Sequence, residues 1–124
     1  MPEQQVKLQK AYTALLAADL ASAEAWYTKL LGRGPDYRPM PTMVEWELFD
    51  QGGLVLATDA LIAGRGVMFL IVDDVAAERR RLQNLGIMLG DDIKGDYSTL
   101  AQVRDPDGNL ITLATPPSRP YPPA

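Results

Sequence analysis

The chain has 124 residues, 47% of them hydrophobic, with 12 basic against 16 acidic residues and a net charge of −4. That size and apolar share suit a single core, the acidic balance offers no broad basic surface to a phosphate backbone, and no apolar run approaches the about 20 residues of a spanning helix, so neither nucleic acid nor a membrane is an expected partner. Cysteine and histidine are absent, which excludes disulfides, thiolate chemistry, every Ser-His or Cys-His arrangement and the commonest metal ligand.

The start, MPEQQVKLQK, is polar and lacks a signal-peptide pattern, so residues 1–9 read as an N-terminal extension and the cytoplasm as the expected compartment. Lys10 to Ala18 is an apolar strand ending at Asp19, whose carboxylate is placed to cap a helix. The helix is expected over Leu20 to Leu31, because Leu20, Ala23, Tyr27 and Leu30 recur at helical spacing and Gly32 follows where a left-handed C-cap belongs. Three strands come next, Asp36–Met40, Met43–Phe49 and Leu54–Thr58, with Asp50-Gln51-Gly52-Gly53 as the hairpin turn between the last two. The loop Asp59–Arg65 carries an apolar pair, Leu61 and Ile62, which suits a lid or an interface as well as packing beneath the loop.

The second half repeats these landmarks. A strand from Gly66 runs into Asp73 and Asp74, either of which is placed to cap a helix with Val75, Leu82 and Leu85 on one face and Gly86 at its end. Arg79, Arg80 and Arg81 fan around that helix and read as a solvated face. Strands are expected at Met88–Lys94, Ser98–Arg104 and Leu110–Ala114, with the turn Asp105-Pro106-Asp107-Gly108-Asn109 before the last. DQGGLVLAT at 50–58 and DGNLITLAT at 107–115 end alike, which marks a duplication. The expected organisation is α+β, a single domain over 10–115 made of two tandem β-α-β-β-β modules (10–58 and 66–115) joined by a linker (59–65). The tail, 116–124, holds five prolines in PPSRPYPPA and is expected to be extended and at most loosely docked.

Two such modules, the Asp-Leu helix start, Trp26-Tyr27 before Leu30-Leu31-Gly32, and above all Asp105 to Leu113 resemble the vicinal oxygen chelate superfamily, the glyoxalase, bleomycin-resistance and extradiol-dioxygenase group. The resemblance implies curled mixed sheets around a concave ligand surface. It also implies, for metal-dependent members, four ligands, usually His and Glu, on the first and last strand of each module. Those positions fall on Tyr12, Val55, Val67 and Thr112. Two valines and an alcohol supply no imidazole or carboxylate donor at about 2.0–2.2 Å, so no metal and no other cofactor is expected. The branch that fits is the metal-free, bleomycin-resistance-like one.

Residues two apart along a strand share a face. From the four positions, alternation puts Tyr12, Ala14 and Leu16 on the concave side, with Val55 and Ala57, with Val67, Phe69 and Ile71, and with Leu110, Thr112 and Ala114. Pairing Leu48 with Val55 and Trp46 with Ala57 across the hairpin adds Trp46 and Leu48. By resemblance Gln102 faces the ligand too, flanked by Leu100 and Arg104. The expected binding residues are Tyr12, Trp46, Leu48, Val55, Val67, Phe69, Gln102, Arg104 and Thr112, with none catalytic. An apolar surface with a few polar points is the profile of a small-molecule pocket, although a filled core or dimer seam has the same composition.

The leading expectation is a noncatalytic homodimer that sequesters an antibiotic or aromatic metabolite. Two alternatives stand beside it. One is a metal-independent isomerase, cyclase or lyase, for which Glu45, Glu47, Tyr12 or Tyr97 would have to move protons; the expected pairing turns both glutamates away from the cup, and a carboxylate found inside it would revive this reading. The other is an interaction or regulatory module with a filled cup.

Overall fold

The computed structural model describes residues 6–124. Along the chain run β1 (Ala11–Ala17), α1 (Leu20–Leu31), β2 (Tyr37–Met40), β3 (Met43–Phe49) and β4 (Gly52–Thr58), then β5 (Val67–Ile71), α2 (Val75–Gln83), β6 (Ile93–Lys94), β7 (Thr99–Arg104) and β8 (Leu110–Ala114). They form two four-stranded sheets of the same topology, β1-β4-β3-β2 and β5-β8-β7-β6. In each, the strand before the helix lies parallel to the last strand of its module, and the remaining pairs are antiparallel. The repeated Leu-Ala-Thr therefore ends equivalent, central strands, β4 and β8.

Local chemistry explains most boundaries. The stripe Leu20, Ala23, Tyr27 and Leu30 is buried, and Gly32 ends α1 at φ 81° with its N–H on the Thr28 carbonyl. Asp19 precedes α1 but makes no side-chain cap; its carboxylate accepts from Ser22 Oγ instead. Asp74 does cap α2, accepting from the Ala76 N–H. The strand expected over Met88–Lys94 shrinks to Ile93–Lys94, and residues 89–92 run beside β7 as a loop. Arg79 donates to the Leu89 carbonyl and pairs with Asp92 at 2.6 Å, and the Gly90 N–H reaches the Gln102 carbonyl. Arg79 is thus a loop brace, not part of a solvated triplet. The tail rests on Tyr97, which Arg119 covers at 4.6 Å and Tyr121 meets with ring centroids 4.8 Å apart.

One cluster of buried side chains serves both modules: Leu15, Ala17, Val44, Trp46, Leu54 and Leu56 from the first sheet join Met68, Ala101, Ile111 and Leu113 from the second, with both helices. The turn at 105–109 fastens the modules together. Asp105 accepts from the N–H groups of Asp107, Gly108 and Asn109 on one oxygen, and from Asn109 Nδ2 and the Tyr27 hydroxyl, 2.7 Å away on α1, on the other. Asn109 Nδ2 also reaches the Leu16 carbonyl, and Asp107 accepts the Ala18 N–H. At the far end of α1, Arg81 donates to the carbonyls of Lys29 and Leu30, which satisfies orphan acceptors of the helix terminus. Since the shared core takes one face of each sheet, the other face of each is left open.

Candidate functional site

The strand registers fix the open faces. On the first sheet Tyr12, Ala14 and Leu16 stand beside Gly53, Val55 and Ala57, while Leu15 and Ala17 are buried beneath. On the second, Val67, Phe69 and Ile71 pair with Leu110, Thr112 and Ala114, which pair in turn with Arg104, Gln102 and Leu100. Val67, Phe69 and Ile71 are 70%, 59% and 56% exposed, an apolar row on a strand with no neighbour on its outer edge. Gln102 Nε2 donates to Thr112 Oγ1 at 3.1 Å, and Arg104 donates to the Gly108 carbonyl. Beside this face an open cleft of about 490 Å³ brings Gln102, Arg104 and Leu110 together with Met88, Asp91 and Ile93.

Trp46 and Leu48 are not on the open face. Trp46 is fully buried, its ring 6.5 Å from that of Tyr27 and its Nε1–H on the Arg33 carbonyl. Leu48 packs partly against the core and lines a separate apolar cleft with Leu30 and Leu70. The cause is register: Asp50-Gln51 alone makes the turn, Phe49 pairs with Gly52, and an irregularity between Trp46 and Phe49 resets the pairing so that Glu45, not Leu48, opposes Val55. An odd shift in register exchanges the faces of a strand. Gly53 permits the close approach, for a Cβ there would lie 1.8 Å from the Trp46 carbonyl oxygen.

The exchange brings in two residues that the expected pairing had excluded. Glu45 shares the face of Val55, and Glu47 Oε1 accepts the Tyr12 hydroxyl at 2.8 Å and lies 3.4 Å from Lys10 Nζ. Tyr12 is pushed up to about 12, first by its hydrogen bond to Glu47 and then by desolvation and the negative charge of both glutamates. It remains a neutral donor at any physiological pH. The alternation Val44-Glu45-Trp46-Glu47 carried the signal: its apolar members belong to the core and its acidic ones to the open side. Tyr97, by contrast, sits at the β6–β7 turn under the tail.

The four positions at which the resemblance implies metal ligands do not fit a metal. Val55 and Val67 have no donor atom, Thr112 has its hydroxyl engaged by Gln102, and the Tyr12 phenol is held protonated against Glu47. Among the described residues no group of three Asp or Glu side chains converges elsewhere.

Scans against protein-family models and curated proteins find no match. Solved structures do match. A glyoxalase/bleomycin resistance protein from Catenulispora acidiphila is 26% identical at a TM-score of 0.79, covering 87% of this chain and 98% of its own. A bleomycin resistance determinant encoded on transposon Tn5 is 25% identical at 0.68, covering 86% and 97%. An antibiotic binding protein, TnmS3 from a Streptomyces species, is 23% identical at 0.70, covering 91% and 98%, and bears on the fold alone.

Proposed function

We propose that this chain, which has the glyoxalase/bleomycin-resistance fold of the vicinal oxygen chelate superfamily, binds an aromatic or amphipathic small molecule, an antibiotic or a metabolite, without a metal ion. The observation that carries the reading is the open face of the second sheet. An exposed row of Val67, Phe69 and Ile71 lies next to a short line of polar groups, Gln102, Arg104 and Thr112, at the mouth of a cleft of ligand size. Apolar area supplies affinity there, and the polar points fix orientation.

The binding unit is a homodimer. β1 and β5 each have one free edge, the row on β5 is apolar, and Leu61 in the linker is 87% exposed; a two-fold mate covers such surfaces and closes the cup. The ligand then meets Phe69 and Gln102 from one face and Tyr12, Val55, Glu45 and Glu47 from the other.

A second reading is favoured by Glu45 and Glu47. Carboxylates beside a neutral phenol on an open face are the parts of a metal-independent proton transfer, with a glutamate taking a proton from carbon and Tyr12 donating to the adjacent oxygen. The test is a thermal-shift screen of aromatic antibiotics and metabolites in EDTA, followed by product analysis of every hit. A midpoint rise that Phe69→Ser abolishes, with the compound recovered unchanged, supports binding; conversion that Glu47→Gln stops supports the enzyme; no hit across the screen contradicts both.

A further inference from the structure

Within the cleft of the second module, two opposite charges stand without an ion-pair partner among the described residues. Arg104 spends one N–H on the Gly108 carbonyl at 2.8 Å, and the rest of its guanidinium fork makes no hydrogen bond or ion pair among the described residues. Asp91 lines the same cleft with neither among the described residues, and the two do not pair with each other. Its neighbour Asp92 does the opposite, pairing with Arg79 at 2.6 Å. Residues 89–92 are held by that pair, by the Arg79 contact to the Leu89 carbonyl and by the Gly90 N–H on the Gln102 carbonyl. The loop is therefore braced by one aspartate while the other is presented to the cleft. Gln102 is fixed as well: its amide nitrogen donates to Thr112, which leaves the amide oxygen as a second acceptor at the same wall. Met88, Ile93 and Leu110 complete the lining with apolar surface.

We infer that this cleft selects a small zwitterion bearing an apolar or aromatic group, with its carboxylate on Arg104, its ammonium between Asp91 and the Gln102 oxygen, and its apolar group against Met88, Ile93 and Leu110. The inference rests on the binding reading and adds the ligand's charge pattern to it. A guanidinium fork matches a carboxylate with two parallel N–H bonds, and an ammonium needs acceptors only, which Asp91 and Gln102 provide. A ligand carrying both charges satisfies both groups at once. One carrying a single charge leaves the other group unmatched.

Isothermal titration calorimetry on the full chain tests this with five indole probes: L-tryptophan and the dipeptide Trp-Gly, which hold both charges at two separations, tryptamine without the carboxylate, indole-3-propionate without the ammonium, and indole without either. At least one zwitterion is expected to bind about tenfold or more tightly than all three analogues. Asp91→Asn, which removes no contact of the fold, is expected to erase the margin over indole-3-propionate, and Arg104→Met the margin over tryptamine, with unchanged thermal midpoints confirming that each variant is folded. Equal binding of all five probes, lost in Phe69→Ser but untouched by Asp91→Asn, would overturn the inference while the binding reading stands. Binding by none overturns the inference and leaves the wider screen to decide the binding reading.

Discussion

At the scale of single residues, identical side-chain types separate by surroundings. Tyr12 and Tyr27 are both phenols bonded to carboxylates, yet Tyr12 faces the open side and Tyr27 is wholly enclosed. Burial, then the hydrogen bond to Asp105, pushes the Tyr27 hydroxyl far above its ordinary 10.0. A raised folded-state value means that the contribution is complete below the unfolded value and is lost as pH climbs above about 10. Tyr27→Phe is therefore expected to cost about 1–3 kcal/mol at pH 8, as a urea titration would read it, and to flatten the loss of stability between pH 9 and about 11. A variant as stable as the parent at pH 8 would contradict this role. Trp46 makes a complementary case. Trp46→Phe is expected to lower stability by about 1–3 kcal/mol through lost packing and the unpaired Arg33 carbonyl, while ligand affinity stays unchanged, because the indole lies in the core. Glu45→Gln is expected to do the reverse and change affinity with little effect on the midpoint.

The elements show how far the chain could be read in advance, and where reading stopped. Helix α1 and strands β3 and β8 fall where periodicity placed them, because each carries an apolar period long enough to be unambiguous and a turn residue at its end. The Leu-Ala-Thr repeat gave the pairing of modules for the same reason. What escaped was the register of the β3–β4 hairpin, shifted by three residues so that Glu45 stands opposite Val55 where Leu48 was expected. A four-residue and a two-residue turn both suit Asp50-Gln51-Gly52-Gly53, and the chain takes the two-residue one, with Gly53 lying too close to the Trp46 carbonyl for any side chain. Two residues of the shift come from the shorter turn and one from the irregularity between Trp46 and Phe49, and the odd total exchanged Trp46 and Leu48 for Glu45 and Glu47 on the open face. The segment 88–92 escaped differently, since its shape depends on Arg79, a side chain distant in sequence. Arg81 acts in the same way between modules. Arg81→Met is expected to destabilise the fold by about 1–3 kcal/mol, by urea titration, because two carbonyls at the end of α1 lose their donors. A neutral result would mean that water replaces the guanidinium at no cost.

For the whole molecule, the arrangement of two sheets around a shared core determines where function can reside. The inner faces hold the modules together through Asp105, Asn109 and Tyr27, so the turn of the most recognisable motif is a fastening, while the strand that follows it puts Leu110 and Thr112 on the open face of the second sheet. The outer faces and free strand edges invite a second copy. Phe69→Asp on the exposed row is expected to convert a dimer to a monomer in light scattering and to abolish binding together with it. A variant that remains dimeric would place the interface elsewhere. The central claim is that affinity comes from apolar and polar side chains on these faces and not from a coordinated ion. Calorimetric titration of the best ligand into chain stripped with EDTA, beside untreated chain, tests it most directly. Identical affinity and stoichiometry are the predicted result. Binding that vanishes on stripping and returns with zinc, iron or manganese would contradict the account.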